Sequence, residues 1–246
     1  MTRRSKPNRL RTTSRQRGVS LVEIMVAMAI ALFMTAAMLT VFLNMRSTYS
    51  AQDSLAQLQD NERLALTVLT DNVQQAGYFP VPTTNTLVTV MPAVNASYAT
   101  LVAGQIISGS SGAAGASDTL IVQFVAGNND GILNCQGGSN SSGSNAVYVN
   151  VFSLSANNEL TCAVNGGPVA VLATGVSSFN VFYGVDTDND GNADKYLSAA
   201  AVQAGGYWPN VYTVQVNLAF VNPYAGQPGQ PDTINWTQTI SLMNRT

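Results

Sequence analysis

No glycine or proline interrupts residues 19–76, a run of 58 positions. These two residues most often end or break a helix, so their absence over such a length predicts one long helix, about 87 Å if continuous. Its first part is apolar all round. Residues 24–43 are 20 consecutive positions without a charge, and a helix of that length spans about 30 Å, the hydrocarbon thickness of a bilayer. A soluble surface helix needs only an apolar stripe. The chain must therefore hide this segment in lipid or among similar helices.

The flanks assign an orientation. Seven of the 11 basic residues (Arg3, Arg4, Lys6, Arg9, Arg11, Arg15 and Arg17) precede the segment, and Arg46 is the only base close behind it. By the positive-inside rule the N-terminus stays cytoplasmic and the rest crosses. That reading also accounts for the basic arm without nucleic acid. A secretory signal peptide would have an apolar region of about 7–15 residues and a small-residue cleavage site; this run is longer, and no such site follows.

After Asn44 the pattern becomes amphipathic. Leu55, Leu58, Ala65, Leu66, Leu69 and Val73 recur at helical spacing between polar residues, so one stripe is expected to pack on a core. Gly77 should end the helix, with Pro80 and Pro82 preventing its restart. Strand-like runs follow at 119–125, 146–154, 160–164, 169–173, 178–183, 211–221 and 233–242. In 211–221, Tyr212, Val214, Val216, Leu218 and Phe220 should share the buried face. Residues 108–117 and 136–145, rich in Gly, Ser, Ala and Asn, read as mobile surface loops. The expectation is an α+β fold: a long N-terminal helix laid on an antiparallel sheet, with no further helix.

Composition removes several chemistries. The chain has no His and two Cys, so His-dependent nucleophilic triads and HExxH zinc sites cannot be assembled. Asp118, Asp130, Glu159 and Asp232 have no recognisable pairing for carboxylate catalysis, and no enzyme is expected. Cys135 and Cys162 fall on the side expected to leave the cytoplasm, where disulfides persist. A bridge would close a loop worth about 3 kcal/mol of unfolded-state freedom; two free buried thiols are the alternative.

Residues 186–194 place Asp186, Asp188, Asp190 and Asp194 at positions 1, 3, 5 and 9 of a loop, with Gly191 at position 6. That spacing wraps a hard cation such as Ca2+ in oxygen ligands, and the Asn192 carbonyl could supply position 7. Leu197 stands where an EF-hand has its bidentate Glu, and a strand precedes the loop. An acidic turn that binds nothing is the alternative.

Glu23 is the remaining oddity, since a carboxylate at the lip of an apolar helix is costly unless it is paired or solvated. The string Arg17-Gly18-Val19-Ser20-Leu21-Val22-Glu23 followed by the apolar helix resembles the class III signal of type IV pilins and type II secretion pseudopilins. The resemblance implies cleavage by a prepilin peptidase after Gly18 and N-methylation of Val19, where Phe is commoner. It also implies pairing of Glu23 with the N-terminal amine of a neighbouring subunit. Ala76-Gly77-Tyr78-Phe79 resembles the helix exit of PilW-like minor pilins, and Thr40, where many major pilins have Pro, counts against a major subunit. The implied organisation is a leader at 1–18, a helix at 19–76 with its membrane part at 24–43, and a β-rich domain at 77–246. The implied function is that of a minor pilin in type IV pilus assembly. The expected partners are the prepilin peptidase, other minor and major pilins and a tip adhesin. Such a protein starts in the inner membrane and passes to the pilus, periplasm or cell surface. The alternatives are a type II secretion pseudopilin and a calcium-dependent adhesin on a membrane anchor.

Overall fold

The computed structural model describes residues 18–113 and 116–244; the basic arm and nearly all of the expected leader lie outside them. Helix α1 runs over Leu21–Gln75, within two residues of the expected start and one of the expected end. By its contacts the chain divides into two units, Met1–Ser50 and Ala51–Thr246.

In the first unit every described residue is exposed. Among the described residues α1 is the one helix long and apolar enough to cross a membrane. Thr35 and Thr40, the two hydroxyl residues within 24–43, carry no unmet bonding demand into such a setting. Thr35 Oγ1 donates to the Ala31 carbonyl at 2.9 Å and Thr40 Oγ1 to that of Ala37 at 2.8 Å, so each is satisfied within the helix.

In the second unit α1 supplies Leu58, Ala65, Leu69 and Val73 of the expected stripe to the main core, which Ala76, just past the helix, also joins; Leu55 and Leu66 are half-buried. Gly77 sits at φ +78°, and its N–H donates to the Gln123 carbonyl at 3.0 Å. A Cβ there would collide with the Asn244 carbonyl, so a left-handed glycine turn closes the helix, as read from the sequence.

The strands form two main sheets instead of the single sheet expected. A short helix α2 (Leu87–Val90) precedes the hairpin of β1 (Val94–Ala96) and β2 (Ala99–Leu101). Next comes an antiparallel meander of β3 (Ile107–Ser110), β4 (Thr119–Ala126), β5 (Ala146–Leu154), β6 (Glu159–Val164) and β7 (Val169–Thr174), adjacent in that order. The other sheet contains β8 (Val176–Val185), β9 (Lys195–Ser198), β10 (Val211–Val221) and β11 (Thr233–Ser241), ordered β11-β10-β8-β9. Between β9 and β10 lie helix α3 (Ala199–Gly205) and a 3-10 turn at Trp208–Asn210. The hairpin covers the outer face of the meander through a second small core of Ala99, Leu101, Ile121 and Val149.

Side chains stitch the sheets together. Asp118 Oδ2 accepts the Val181 N–H at 2.8 Å, Oδ1 accepts that of Gly112 at 2.9 Å, and Ser117 Oγ accepts that of Phe179 at 3.0 Å. Fully buried Tyr183 donates its hydroxyl to the Ser108 carbonyl at 3.2 Å. Gly109 makes that approach possible, because a Cβ there would overlap the tyrosine oxygen.

Two further expectations are corrected. Residues 108–110 are not loop: they pair with β4, in register Ser108↔Ile121 and Ser110↔Thr119. Residues 136–145, by contrast, form the expected surface loop, exposed except for buried Asn140, whose Nδ2 donates to the carbonyls of Ala126 and Ser144. Tyr212 is half-buried while Val211 is buried, because a register shift between Val211 and Thr213 reverses the alternation at the start of β10. From Val214 to Phe220 the expected face is the buried one.

Candidate functional site

Two places carry the chemistry expected from the sequence, and they lie in different units. At the start of α1, Ser20 caps the helix: its Oγ accepts the Glu23 N–H at 3.3 Å and its carbonyl accepts the Ile24 N–H at 3.2 Å. Glu23 lies in the first turn, where a carboxylate is favoured by the N–H groups and dipole of the helix end. Gly18, Val19 and Glu23 are all exposed. The helix they introduce presents Ile24, Val26, Met28, Ile30, Leu32 and Phe33 fully outward, a surface suited to lipid or to other apolar helices.

The second place is the connection between β8 and β9, whose flanking pair is Val185↔Lys195. Asp186 is fully buried. Its Oδ1 accepts the Asn189 N–H at 2.7 Å and its Oδ2 that of Gly191 at 2.9 Å. Its own N–H donates to the Asn210 carbonyl at 2.9 Å, which ties the loop to the 3-10 turn. Asn189 and Gly191 take φ of +63° and +91°, left-handed conformations that Asn and Gly tolerate best. Asp194 Oδ2 accepts both the N–H and the hydroxyl of Thr187 at 2.7 Å.

One carboxylate oxygen each of Asp186, Asp188 and Asp194 lies within 4.8 Å of the others, and this cluster could hold a metal ion. Asp190 is outside that group, its Oδ1 accepting the Asn192 N–H at 2.8 Å. The electrostatics differ within the cluster. Desolvation, then the charges of Asp190 and Asp194, push the Asp188 carboxyl above its usual value. The bonds from Thr187, side chain first, hold Asp194 below its own. The donor set is all oxygen, and each carboxylate retains lone pairs beyond those taken by N–H groups, so a hard cation fits its chemistry. Thr187 was not singled out in the sequence; its bonds to Asp194 span seven positions, and no local pattern marks them.

Cys135 and Cys162 form a disulfide, with Cα atoms 6.3 Å apart. Beside it, Gln136 Nε2 donates to the carbonyls of Cys162 and Pro168. The four scattered acids do not converge. Asp118 is spent on the sheet junction. Asp130 accepts the Ile132 N–H and Glu159 the Ser155 hydroxyl. Asp232 offers its backbone carbonyl to Asn222.

Comparison with known proteins adds two family matches. A family model described as Type IV Pilus-assembly protein W matches residues 146–241, which run from the start of β5 to the end of β11. A second, the prokaryotic N-terminal methylation motif, matches residues 13–39, spanning Gly18, Val19, Glu23 and the apolar half of α1. No curated protein matches the chain significantly. The methylation motif implies prepilin processing, and the two matches point to a structural pilus component that meets other pilins and the prepilin peptidase. A methylation motif on a long apolar helix, followed by a pilus-assembly domain of antiparallel sheets, makes this chain a type IV pilin-like protein, a minor pilin associated with the type IV pilus.

Proposed function

We propose that the chain enters the inner membrane with its basic N-terminus in the cytoplasm and loses residues 1–18 to a prepilin peptidase. It then joins or primes the pilus through the helix beginning at Val19. The observation that supports this most is the exposed apolar helix opening on Ser20 and Glu23 inside the matched methylation motif. An N-terminal ammonium at Val19 and the Glu23 carboxylate of a neighbouring subunit neutralise each other in lipid, and such a pair fixes the register between adjacent helices. In this reading residues 24–43 are the membrane part, residues 19–76 the assembly helix, and residues 77–246 the domain carried to the periplasm or filament surface. The match to the pilus-assembly family favours the pilus over a secretion pseudopilin.

The test is to replace Glu23 by Ala in the producing bacterium. The variant should be cleaved normally but incorporate poorly, with fewer surface filaments by electron microscopy. Normal filament number would remove the pairing role.

A second reading concerns the acidic loop. Three carboxylate oxygens within 4.8 Å of one another support Ca2+ bound by Asp186, Asp188 and Asp194, with Asp190 and the Asn192 carbonyl completing the shell. The cation would lock the β8–β9 connection. A calcium-dependent adhesive role predicts that Asp188→Ala abolishes attachment and leaves filaments intact, whereas loss of filaments would assign the loop to assembly.

A further inference from the structure

A cavity of about 620 Å³ opens on the second unit. Its walls come from the turn after β2, the end of α3, the 3-10 turn and the start of β10, and include Thr100, Val102, Gln105, Gln203, Trp208 and Tyr212. Among the described residues, no charged one lines it. The lining therefore offers no charged side chain to pair with an ionic ligand.

The groups present have another use, and they are held in place. The Trp208 ring stands edge-on to Tyr183 with centroids 4.9 Å apart, and its indole N–H donates to Gln203 Oε1 at 2.7 Å. The ring is thus fixed from both ends. Gln105 closes the opposite turn: Oε1 accepts the Val102 N–H at 3.0 Å and Nε2 donates to the Ile107 carbonyl at 2.9 Å. Gly104, at φ +78°, brings that turn so close to α2 that a Cβ would press on Val88. A preformed cavity of this size matches small-molecule sites in general. Two aromatic rings with amide and hydroxyl groups, and no ion, suit a ligand with flat C–H faces to stack and neutral hydroxyls to bond. We propose that this cavity binds a short neutral oligosaccharide, with Trp208 as the stacking platform and Gln203 as the hydroxyl-reading group.

The experiment uses the full chain in phosphocholine-headgroup micelles, because glucoside detergents would compete. It is applied to an array of neutral glycans, with tryptophan fluorescence titration of every glycan retained. The chain has two tryptophans, so Trp236→Phe isolates the signal of Trp208. Saturable binding is expected in wild type and in Trp236→Phe. Trp208→Ala, which removes the fluorescent reporter and is therefore titrated by calorimetry beside wild type, should raise the apparent Kd about tenfold or more. Val102→Trp, placed at a position 68% exposed where folding tolerates it, should block entry. Circular dichroism melting verifies that each variant is folded. The proposal is overturned by a folded wild type that retains no glycan, by retention indifferent to both Trp208→Ala and Val102→Trp, or by displacement of glycans by an apolar peptide alone.

Discussion

Asp186 and Asp194 illustrate how much of the loop is held by single residues. Asp186 satisfies two backbone N–H groups from a fully buried position. Asn at that place can accept through one oxygen only, so Asp186→Asn should lower stability by about 1–3 kcal/mol in urea melts. The pH dependence follows from the directions of the shifts. Asp194 is held below its usual value, so its contribution is present above the ordinary carboxylate range, about pH 4, and is lost as pH falls through its lower native value. Asp188 is pushed above its usual value and takes up its proton first on acidification. If the loop binds Ca2+, the gain in Tm on adding the ion should shrink on acidification as the loop carboxylates take up protons in competition with it. A gain that persisted with all carboxyls protonated would place the cation elsewhere. Val81 is a different case: a β-branched residue between two prolines at φ +58°, where Val81→Gly should stabilise by about 1 kcal/mol. The Asp spacing was legible in the sequence because it is local. The bonds of Asp118 and Tyr183 span 63 and 75 positions, and no local pattern encodes them.

At the scale of elements, the long helix and seven strands could be read because each carries enough residues to display a period. The strands β1, β2, β3 and β9 have three or four residues each, too few for alternation to emerge, and they form because neighbours offer edges to pair with. The shift at the start of β10 was hidden for another reason: a bulge adds a residue without altering composition. Gly109 looked like loop material, whereas its role is to admit the Tyr183 hydroxyl. Gly109→Val should therefore destabilise the second unit by more than about 2 kcal/mol, read as a lower urea midpoint. The disulfide joins the turn at Cys135 to β6. Its removal in Cys135→Ser/Cys162→Ser should cost about 3 kcal/mol and lower Tm by roughly 6–12 °C for a domain of this size. An unchanged Tm would mean that the unfolded chain gains nothing from the lost link.

For the molecule as a whole, two different solvents are written into one chain. The first unit exposes its apolar side chains throughout the described residues, while the second gathers its own from Leu58 onward into a core. Residues 51–246 alone should therefore remain soluble and melt cooperatively, whereas the full chain should require detergent or lipid. Glu23, Gly18 and the basic arm make sense only with the first of these solvents, and their spacing was legible because a processing enzyme and a bilayer both read linear sequence. The central claim is that this helix belongs to a processed pilin, and the mature N-terminus tests it most directly. Co-expressed with a prepilin peptidase and analysed by intact-mass and peptide mass spectrometry, the chain should begin at Val19, methylated, and Gly18→Ala should remain uncut. A wild-type chain that keeps residues 1–18, or one cut beyond Leu43, would contradict the account.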